Sequence, residues 1–457
     1  MSKVNTTAAA LLLAGSAING ASPEAETAIY EPPREWITDG TEQTELRLSS
    51  VLPLGRVAVG PELEPGEPTK VPPNGYDQAA EKRSVEVAAE TWQPELKLNL
   101  KELSGEFDPE KIAIDKGPLK YEIYRIGPGY DFTAESLFVD FIDLAEGEFR
   151  ASYYIFQDEA AIESVYKAIE RGVTVKNLVV EGTNTVNPNN SQSGLTHKML
   201  EKVNKKAGEE VVTFCQASCF NERGNNHAKV FTIERAGDDE HLAVITSANL
   251  SVDNQAYDVA VVIKNNREVY DLVSSYIDDQ AVHGKEDKTV KDYGGFVFLD
   301  ANAAIYFGPG REEPYTEILD RANCDHRGRP NKFKKIAMTG LFDKRSEVIG
   351  QLGDLSQAGC EVDTITNIYR SKEAHFILES LGVNSILTSY PDTWHGKMLN
   401  LIITIEGQDY YMSAAGSANA LGKPGRTEDL AVFTWSSVNQ GPTPMYKFIK
   451  RYVKDHS

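Results

Sequence analysis

A short sequence pattern that occurs twice constrains the fold of this chain more than any other feature. Each copy has His-x-Lys at the start of an apolar strand, then a polar turn, a second apolar strand and Ser-x-Asn at its end. The residues that define the pattern are His227, Lys229 and Asn249 in the first copy and His395, Lys397 and Asn419 in the second. Two copies of one reactive constellation predict a duplicated fold whose halves meet at a single site.

The residue types in the pattern suit phosphodiester chemistry. A neutral imidazole can attack phosphorus and form a covalent phosphohistidine, and a second, protonated imidazole can give its proton to the leaving oxygen. Lysines and asparagines can hold the oxygens on which negative charge develops. We expect His227 to attack and His395 to protonate the leaving group, and the near-symmetry of the two copies leaves the reverse assignment open.

The spacing within each copy brings the side chains together. A histidine and a lysine two positions apart on a strand point to the same face. Because each asparagine ends the return strand of a hairpin, we expect Asn249 beside His227 and Asn419 beside His395. The sequence near either motif has no dense group of ligand residues, so the predicted chemistry uses neither a metal nor another cofactor.

These paired motifs resemble those of the phospholipase D superfamily, and the resemblance covers roughly residues 120 to 455. The chain is most similar to secreted bacterial phospholipase D-like proteins with a cysteine pair before the first motif, here Cys215 and Cys219. The resemblance implies an α/β fold, a duplicated sandwich of two βαβ-rich halves around a pseudo-twofold axis with one shared active site. It also implies hydrolysis or transfer of a phosphodiester, with Ser247 and Ser417 among the residues that bind substrate.

One position departs from the superfamily pattern and affects the expected substrate. The superfamily has Asp five residues after each motif lysine, and these positions hold Glu234 and Ile402 here. Nucleic-acid-processing branches, including tyrosyl-DNA phosphodiesterases, also lack that Asp and keep activity. The departure favours a nuclease, with a phospholipase D acting on lipid head groups as the alternative. A non-catalytic docking or structural protein that retains the fold is a further alternative.

The resemblance also implies carboxylates that orient the histidines. Asp258 lies where superfamily members have such a residue, and Glu428 holds the matching place in the second half. A carboxylate on one ring nitrogen fixes the tautomer and raises the basicity of the other nitrogen. We favour this role more for Glu428 than for Asp258.

The order of predicted elements supports duplication independently of the motifs. In the first half, a strand at 149–156 is followed by a helix at 158–170, which ends at Arg171-Gly172, and by a strand at 173–180. The second half repeats this order at 333–338, 345–357 and 361–366, which predicts parallel strands with crossover helices. A third His-x-Lys, at His283 and Lys285, lacks the apolar strand and the Ser-x-Asn, so we expect a solvated loop there.

Composition divides the chain into four segments. Residues 1–25 resemble a weak secretory signal, with a small-residue helix or a disordered terminus as the alternative. Residues 26–110 are rich in Pro and Glu, which favours an extended arm. This arm is a linker or pro-segment in one interpretation and docks on a larger assembly in another. We assign the two catalytic halves to residues 111–295 and 296–457.

Net charge limits the range of partners. The chain has 47 Lys and Arg against 68 Asp and Glu, a formal net charge of −21. A protein that wraps duplex DNA is usually basic, so we expect only a local cleft that grips one phosphodiester of a nucleic acid or a phospholipid. The apolar run of residues 8–18 is too short to cross a membrane as a helix, so no transmembrane segment is predicted.

Four cysteines allow three pairings. We favour disulfides Cys215–Cys219 and Cys324–Cys360, since similar secreted proteins also have cysteines in the second half. Disulfides indicate an oxidising, extracytoplasmic location. Four free thiols in a cytosolic protein, or in part of a larger particle, are the alternative, and a four-cysteine zinc site is a weaker one because no Cys-x-x-Cys is present.

Overall fold

A computed structural model describes residues 119–456 apart from 131, 183–190, 222–223, 252–255, 287–293, 301, 311–312, 323, 325–334, 390–392, 406 and 421–426. The predictions for residues 1–25 and 26–110 lie outside the described residues. All described residues belong to one compact unit.

The first half forms a seven-stranded mixed sheet. Its strands are β1 Tyr121–Ile126, β2 Ala145–Tyr153, β3 Thr174–Glu181, β4 Val212–Cys215, β5 Lys229–Ala236, β6 Asp239–Thr246 and β7 Asp258–Ile263. They lie in the order β1-β7-β6-β5-β2-β3-β4, and the β2, β3 and β4 strands are parallel. The helices are α1 Ala134–Asp143, α2 Glu159–Arg171, α3 Ser191–Ala207 and α4 Arg267–Glu286.

The second half forms an eight-stranded sheet. Its strands are β8 Gly295–Asp300, β9 Ala303–Phe307, β10 Lys335–Thr339, β11 Glu361–Asn367, β12 Asn384–Thr388, β13 Lys397–Ile405, β14 Gln408–Gly416 and β15 Leu430–Ser437. They lie in the order β12-β11-β10-β13-β14-β15-β9-β8. The helices are α5 Thr316–Asp320, α6 Glu347–Gln357, α7 Ile368–Ser380 and α8 Pro444–Lys454.

The two strand orders show the duplication directly. Read from the β9 strand, the second sheet is β9-β15-β14-β13-β10-β11-β12, which matches the first sheet strand for strand, and β8 is an additional edge strand. In both halves three consecutive strands along the sheet are parallel and the remainder antiparallel. The predicted duplicated α/β fold is therefore confirmed.

Helix α2 shows how local sequence sets the repeating unit. Asp158 caps the helix, because its carboxylate accepts a hydrogen bond from the backbone N–H of Ala161. The helix ends at Gly172, whose φ of 99° is the left-handed conformation that glycine adopts without strain. The predicted boundaries of this helix are correct to within one residue.

The core consists of three layers of apolar side chains. Two of them lie within single halves, and the third combines side chains of both halves, including Val261 of β7 and Val432 of β15. Strand β7 is buried on both faces, since Val259, Val261 and Ile263 face this shared layer. Its remaining apolar residues pack within the first half. The two sheets are thus joined through a continuous apolar interior.

The prediction of a solvated loop at His283 is wrong. Helix α4 continues to Glu286, and His283 is buried with its ring 5.5 Å from the ring of Phe220. Ile277 and Ala281 of the same helix are also buried, and this apolar face holds the end of the helix against the protein.

Candidate active site

Both motifs occupy the same position in their sheets. Lys229 is the first residue of β5 and Lys397 the first residue of β13, so each motif histidine lies immediately before a central strand. Both lysines are fully buried. Each Nζ donates a hydrogen bond to the carbonyl of its own motif histidine, at 2.7 Å for Lys229 and 2.6 Å for Lys397.

The halves interlock next to the motifs through reciprocal backbone contacts. Tyr257 N–H donates to Thr393 at 2.9 Å, and His395 N–H donates back to Tyr257 at 3.0 Å. In the equivalent place, Glu428 N–H donates to Asn225 at 3.0 Å. Reciprocal contacts of this kind are typical of a twofold relation, and they bring the two motifs to one interface.

Each histidine is held by a carboxylate from the opposite half. Nδ1 of His227 lies 2.7 Å from Oδ1 of Asp429, and Nδ1 of His395 lies 2.9 Å from Oδ1 of Asp258. Both carboxylates are buried. With Nδ1 engaged in this way, Nε2 of His395 lies 2.8 Å from Lys397 Nζ, and Nε2 of His227 lies 3.4 Å from Nδ2 of Asn419.

The structure corrects the role predicted for Glu428. Asp429 occupies the position equivalent to Asp258, because Ser247 N–H donates to the residue after Asp258 and Ser417 N–H donates to the residue after Asp429. The connection that follows Asn419 is one residue longer than the one that follows Asn249. Equal spacing from the motif therefore pointed to Glu428, and a count backwards from strand β15 would have identified Asp429.

Asn419 also serves the opposite half. Nδ2 of Asn419 lies 3.4 Å from Nε2 of His227, whereas we expected Asn419 beside His395. Its Oδ1 accepts a hydrogen bond from Leu341 N–H at 3.1 Å, which fixes the amide orientation. Asn249 is buried at the end of β6.

The two motif serines make internal hydrogen bonds. The Ser247 hydroxyl donates to Asp258 and accepts from Val259 N–H, and the Ser417 hydroxyl accepts from Leu430 N–H at 2.9 Å. Both serines are fully buried. This arrangement suits residues that position the carboxylates and the strand ends, rather than the direct substrate contact that we predicted.

The two positions that depart from the superfamily pattern lie along the central strands. Glu234 is exposed near the outer end of β5, where it accepts a hydrogen bond from Glu148 N–H at 3.0 Å. Ile402 is buried in the middle of β13.

Burial and like charge dominate the electrostatics. Burial, followed by the charges of Lys229, Lys397 and His395, holds the pKa of His227 well below its ordinary value. Burial lowers the pKa of Lys397 to about 7 and raises that of Asp429 to about 7. Burial acts to raise the pKa of Asp258 as well, yet His395, Lys397 and the Ser247 hydroxyl together bring it below its ordinary value.

The pKa of both histidines is lowered, and that of His227 more strongly. His395 faces a carboxylate that stays ionised, and the negative charge of Asp258 opposes the lowering of the His395 pKa by burial and by Lys397. His227 faces Asp429, which is easily neutralised. His395 is thus the better proton carrier, and His227 is the better neutral nucleophile.

Sequence reasoning missed an aromatic side chain at the site. Tyr154 follows β2 and is half-buried, with its ring 5.0 Å from the His227 ring and 5.2 Å from Lys229 Nζ. Its position at the end of the strand beside β5 was the available signal, because β2 pairs with β5 at Tyr153 and Lys229.

Both predicted disulfides are present. They join Cys215 to Cys219 and Cys324 to Cys360. Among the described residues, no group of three or more His, Cys, Asp or Glu side chains is arranged to hold a metal ion. Within the same part of the chain, no helix is both long and apolar enough to span a membrane.

Comparison with known proteins agrees with this architecture. Residues 138–280 match the family model described as cardiolipin synthase, phospholipase D-like domain. No curated protein matches the sequence. The structure combines a duplicated α/β fold with two crossed histidine–carboxylate pairs at one interface. Residues 138–280 are thus similar to the phospholipase D-like domain.

Several solved structures are similar to this chain at low identity. Polyphosphate kinase from Porphyromonas gingivalis is 16% identical with a TM-score of 0.43, and the alignment covers 73% of this chain and 49% of that one. Phosphatidylserine synthase from Haemophilus influenzae is 10% identical with a TM-score of 0.49, over 73% and 93% of the two chains. The phospholipase D family member Nuc from Salmonella typhimurium is 17% identical with a TM-score of 0.28, over 36% and 94%.

Proposed function

We propose that this protein is a phosphodiesterase that works through a phosphohistidine and needs no metal ion. The arrangement that carries the proposal is the pair of imidazoles, each oriented by a carboxylate of the opposite half at 2.7 and 2.9 Å. Lys229 and Lys397 lie buried beside them and supply positive charge where the transition state is negative.

The reaction proceeds in two steps that balance. In the first, a bond forms between His227 Nε2 and phosphorus, the bond from phosphorus to the leaving oxygen breaks, and His395 gives its proton to that oxygen. In the second, a water or an alcohol attacks phosphorus and gives its proton to His395 while the bond to His227 breaks. Asn419 and the two lysines hold the non-bridging oxygens in both steps.

A substrate with a good leaving group tests this division of labour. Bis(p-nitrophenyl) phosphate in EDTA needs little protonation of its leaving group, so His395→Ala should still release a burst of p-nitrophenol and accumulate the phosphoenzyme. His227→Ala should give neither burst nor phosphoenzyme, with turnover reduced by several orders of magnitude. A burst in His227→Ala and none in His395→Ala would reverse the assignment, and activity in both would refute the mechanism.

A single-stranded polynucleotide is the substrate that we favour. Tyr154 presents a half-buried aromatic ring next to Lys229 and His227, and bases stack on such rings without sequence preference. The net charge of −21 restricts the grip to a short length of the strand. Nucleic-acid-processing branches of the superfamily also lack the Asp that Glu234 and Ile402 replace here.

Tyr154 provides the test of this substrate class. Tyr154→Ala should raise KM for single-stranded DNA by about 5- to 100-fold, as expected for loss of one stacked base, whereas Tyr154→Phe should leave it nearly unchanged. A small diester without a nucleobase serves as the control, and Tyr154→Ala should not raise its KM in the same way. Equal effects on both substrates would count against base stacking.

Phosphatidyl transfer is the second candidate, because the matching family model is described as a cardiolipin synthase domain. The enzyme would then use a lipid alcohol in the second step instead of water. Vesicles of phosphatidylglycerol or phosphatidylcholine, compared with single-stranded DNA at equal phosphodiester concentration, separate the two candidates by rate.

We also propose that the protein works in an oxidising compartment outside the cytoplasm. The two disulfides support this location. Thiol counting on protein isolated from its native host under alkylating conditions tests the proposal, and four free thiols would contradict it.

A further inference from the structure

We propose that the loop closed by the Cys215–Cys219 disulfide is a positioning element for the His227 side of the active site. The loop, residues 215–220, holds the chain neighbours of both His227 and Asp429. The inference rests on the proposed function, because it assigns a role within that reaction.

The first connection runs from the loop to Glu428, the residue before Asp429. Oε1 of Glu428 accepts hydrogen bonds from the Ser218 hydroxyl, from Cys219 N–H at 2.7 Å and from Phe220 N–H at 3.1 Å. Its Oε2 accepts from the Gln280 amide at 2.6 Å. A fully buried carboxylate with four donors is rigidly placed, so the loop fixes the backbone next to Asp429.

The second connection runs to Asn226, the residue before His227. Asn226 N–H donates to the carbonyl of Ala217 at 2.7 Å. Ala217 has a φ of 65°, a left-handed conformation that costs a residue with a side chain about 1 kcal/mol or more. The closed loop and its hydrogen bonds maintain this conformation, which aims the carbonyl at Asn226.

The disulfide is itself packed against the protein. A Cβ atom at Gly284 of helix α4 would lie 2.7 Å from Sγ of Cys215, so the helix approaches the sulfur as closely as a glycine permits. Gln280, one turn earlier on the same helix, contacts both Glu428 and Asn226. Disulfide, helix and carboxylate therefore form one buried group behind His227.

The His395 side lacks such a group. Its equivalent positions are Trp394 in place of Asn226 and Tyr257 in place of Glu428, and these rings pack with their centroids 6.3 Å apart. Trp394 also packs on Tyr452, at 4.9 Å. Aromatic contacts hold His395, so loss of the first disulfide should affect His227 and leave His395 in place.

A pair of double variants tests the inference. Cys215→Ala with Cys219→Ala removes the disulfide that closes the loop. Cys324→Ala with Cys360→Ala is the matched control, because that disulfide lies in the apolar layer of the second half. The first variant should lower the rate of the p-nitrophenol burst by at least about ten-fold, the size typical of groups that orient a reactive side chain. The control should keep the burst rate within two-fold of wild type, whatever its melting temperature.

Glu428→Gln keeps both disulfides and nearly the same shape, removes the negative charge, and replaces one carboxylate oxygen by an NH2 group that opposes the donors at that oxygen. Glu428→Gln should also lower the burst rate. It keeps the inference testable if the Cys215/Cys219 variant does not fold. Equal burst rates in wild type, the Cys215/Cys219 variant and Glu428→Gln would overturn the inference.

Nitrogen NMR of labelled histidine gives a readout that does not depend on turnover. In wild type the His227 ring should show a single tautomer, and in the Cys215/Cys219 variant and Glu428→Gln it should show averaged tautomers, with His395 unchanged in all three. An unchanged His227 spectrum in both variants would overturn the positioning role. Absence of turnover in wild type would instead refute the proposed phosphodiesterase, and the spectra would still decide the role of the loop.

Discussion

Lys397 is a buried cation whose charge depends on what the site contains. Its Nζ donates to the carbonyls of His395 and Ser247 and lies 2.8 Å from Nε2 of His395. Burial brings its pKa to about 7. An anion bound among these groups favours the protonated form, so charge and occupancy of the site are linked.

This linkage predicts proton uptake on anion binding. At pH 8 Lys397 is mostly neutral, and binding of sulfate, which does not titrate in this range, should raise its pKa and take up a proton. Below pH 6 the lysine is already protonated, so its uptake should vanish. Calorimetry in buffers of different ionisation enthalpy measures the uptake, and Lys397→Met should reduce it at pH 8. Equal uptake in wild type and Lys397→Met would assign the proton elsewhere.

Asp258 should control the protonation of His395. Replacement by Asn removes the negative charge that opposes lowering of the His395 pKa. The alkaline limb of the kcat profile should then move to lower pH, and kcat should fall by roughly 10²- to 10⁴-fold, as for other carboxylates that orient a histidine.

The leaving group provides the internal control for this variant. A p-nitrophenyl ester should suffer less from Asp258→Asn than an alkyl ester, since only the latter needs a proton from His395. An identical loss for both esters would mean that Asp258 acts on something other than the general acid.

Site residues were predictable from the sequence where the whole motif lies within one half. Both histidines and both lysines follow from spacing along single strands. Asp429 and the placement of Asn419 beside His227 were not predictable in the same way, because these contacts cross between halves. They depend on which half faces which ring, and one additional residue in a connection was enough to shift the assignment from Asp429 to Glu428.

At the scale of elements, the local sequence predicted helix boundaries correctly where the helix has a capping residue at each end and a regular apolar face. Helix α2 has both its Asp158 cap and its Gly172 terminus. The last turn of helix α4 was predicted as a solvated loop, and it is held instead by packing of His283 on Phe220 and of Gly284 on the disulfide. Such tertiary contacts cannot be read from the polar residues of that turn.

Two exposed glycines should respond to alanine in opposite directions. Gly172 has a φ of 99°, whereas Gly350 lies within helix α6, and an added Cβ meets nothing within 4 Å at either position. Gly172→Ala should lower the free energy of unfolding by about 1 kcal/mol because of backbone strain. Gly350→Ala should raise it by roughly 0.5–1 kcal/mol through helix propensity. Urea denaturation measures both, and a loss of stability in both variants would contradict the assigned backbone conformations.

At the scale of the whole molecule, neither half contains a complete site. His227 depends on Asp429 and Asn419, and His395 depends on Asp258. The shared apolar layer between the sheets holds these partners together within one chain. The proposed activity therefore requires both halves in their native packing.

A mixing experiment checks that one chain supplies the whole site. Equal amounts of His227→Ala and His395→Ala, combined either as folded proteins or by joint refolding, should show no more activity than the separate variants. A protein that exchanged halves between chains would regain turnover, because some sites would then combine two intact histidines.

The two matching sheets meet at the site through reciprocal backbone contacts, and this has a consequence for ancestry. A chain of one half, paired with an identical copy, would have formed the same pocket with two equal histidines. Fusion into one chain released each pair of equivalent positions to change separately. Glu428 and Tyr257 record that divergence, since the same place in the two halves now holds a buried carboxylate on one side and an aromatic ring on the other. Under the proposed mechanism, the surroundings of the nucleophile and of the general acid can therefore be adjusted independently, because each lies in its own stretch of one chain.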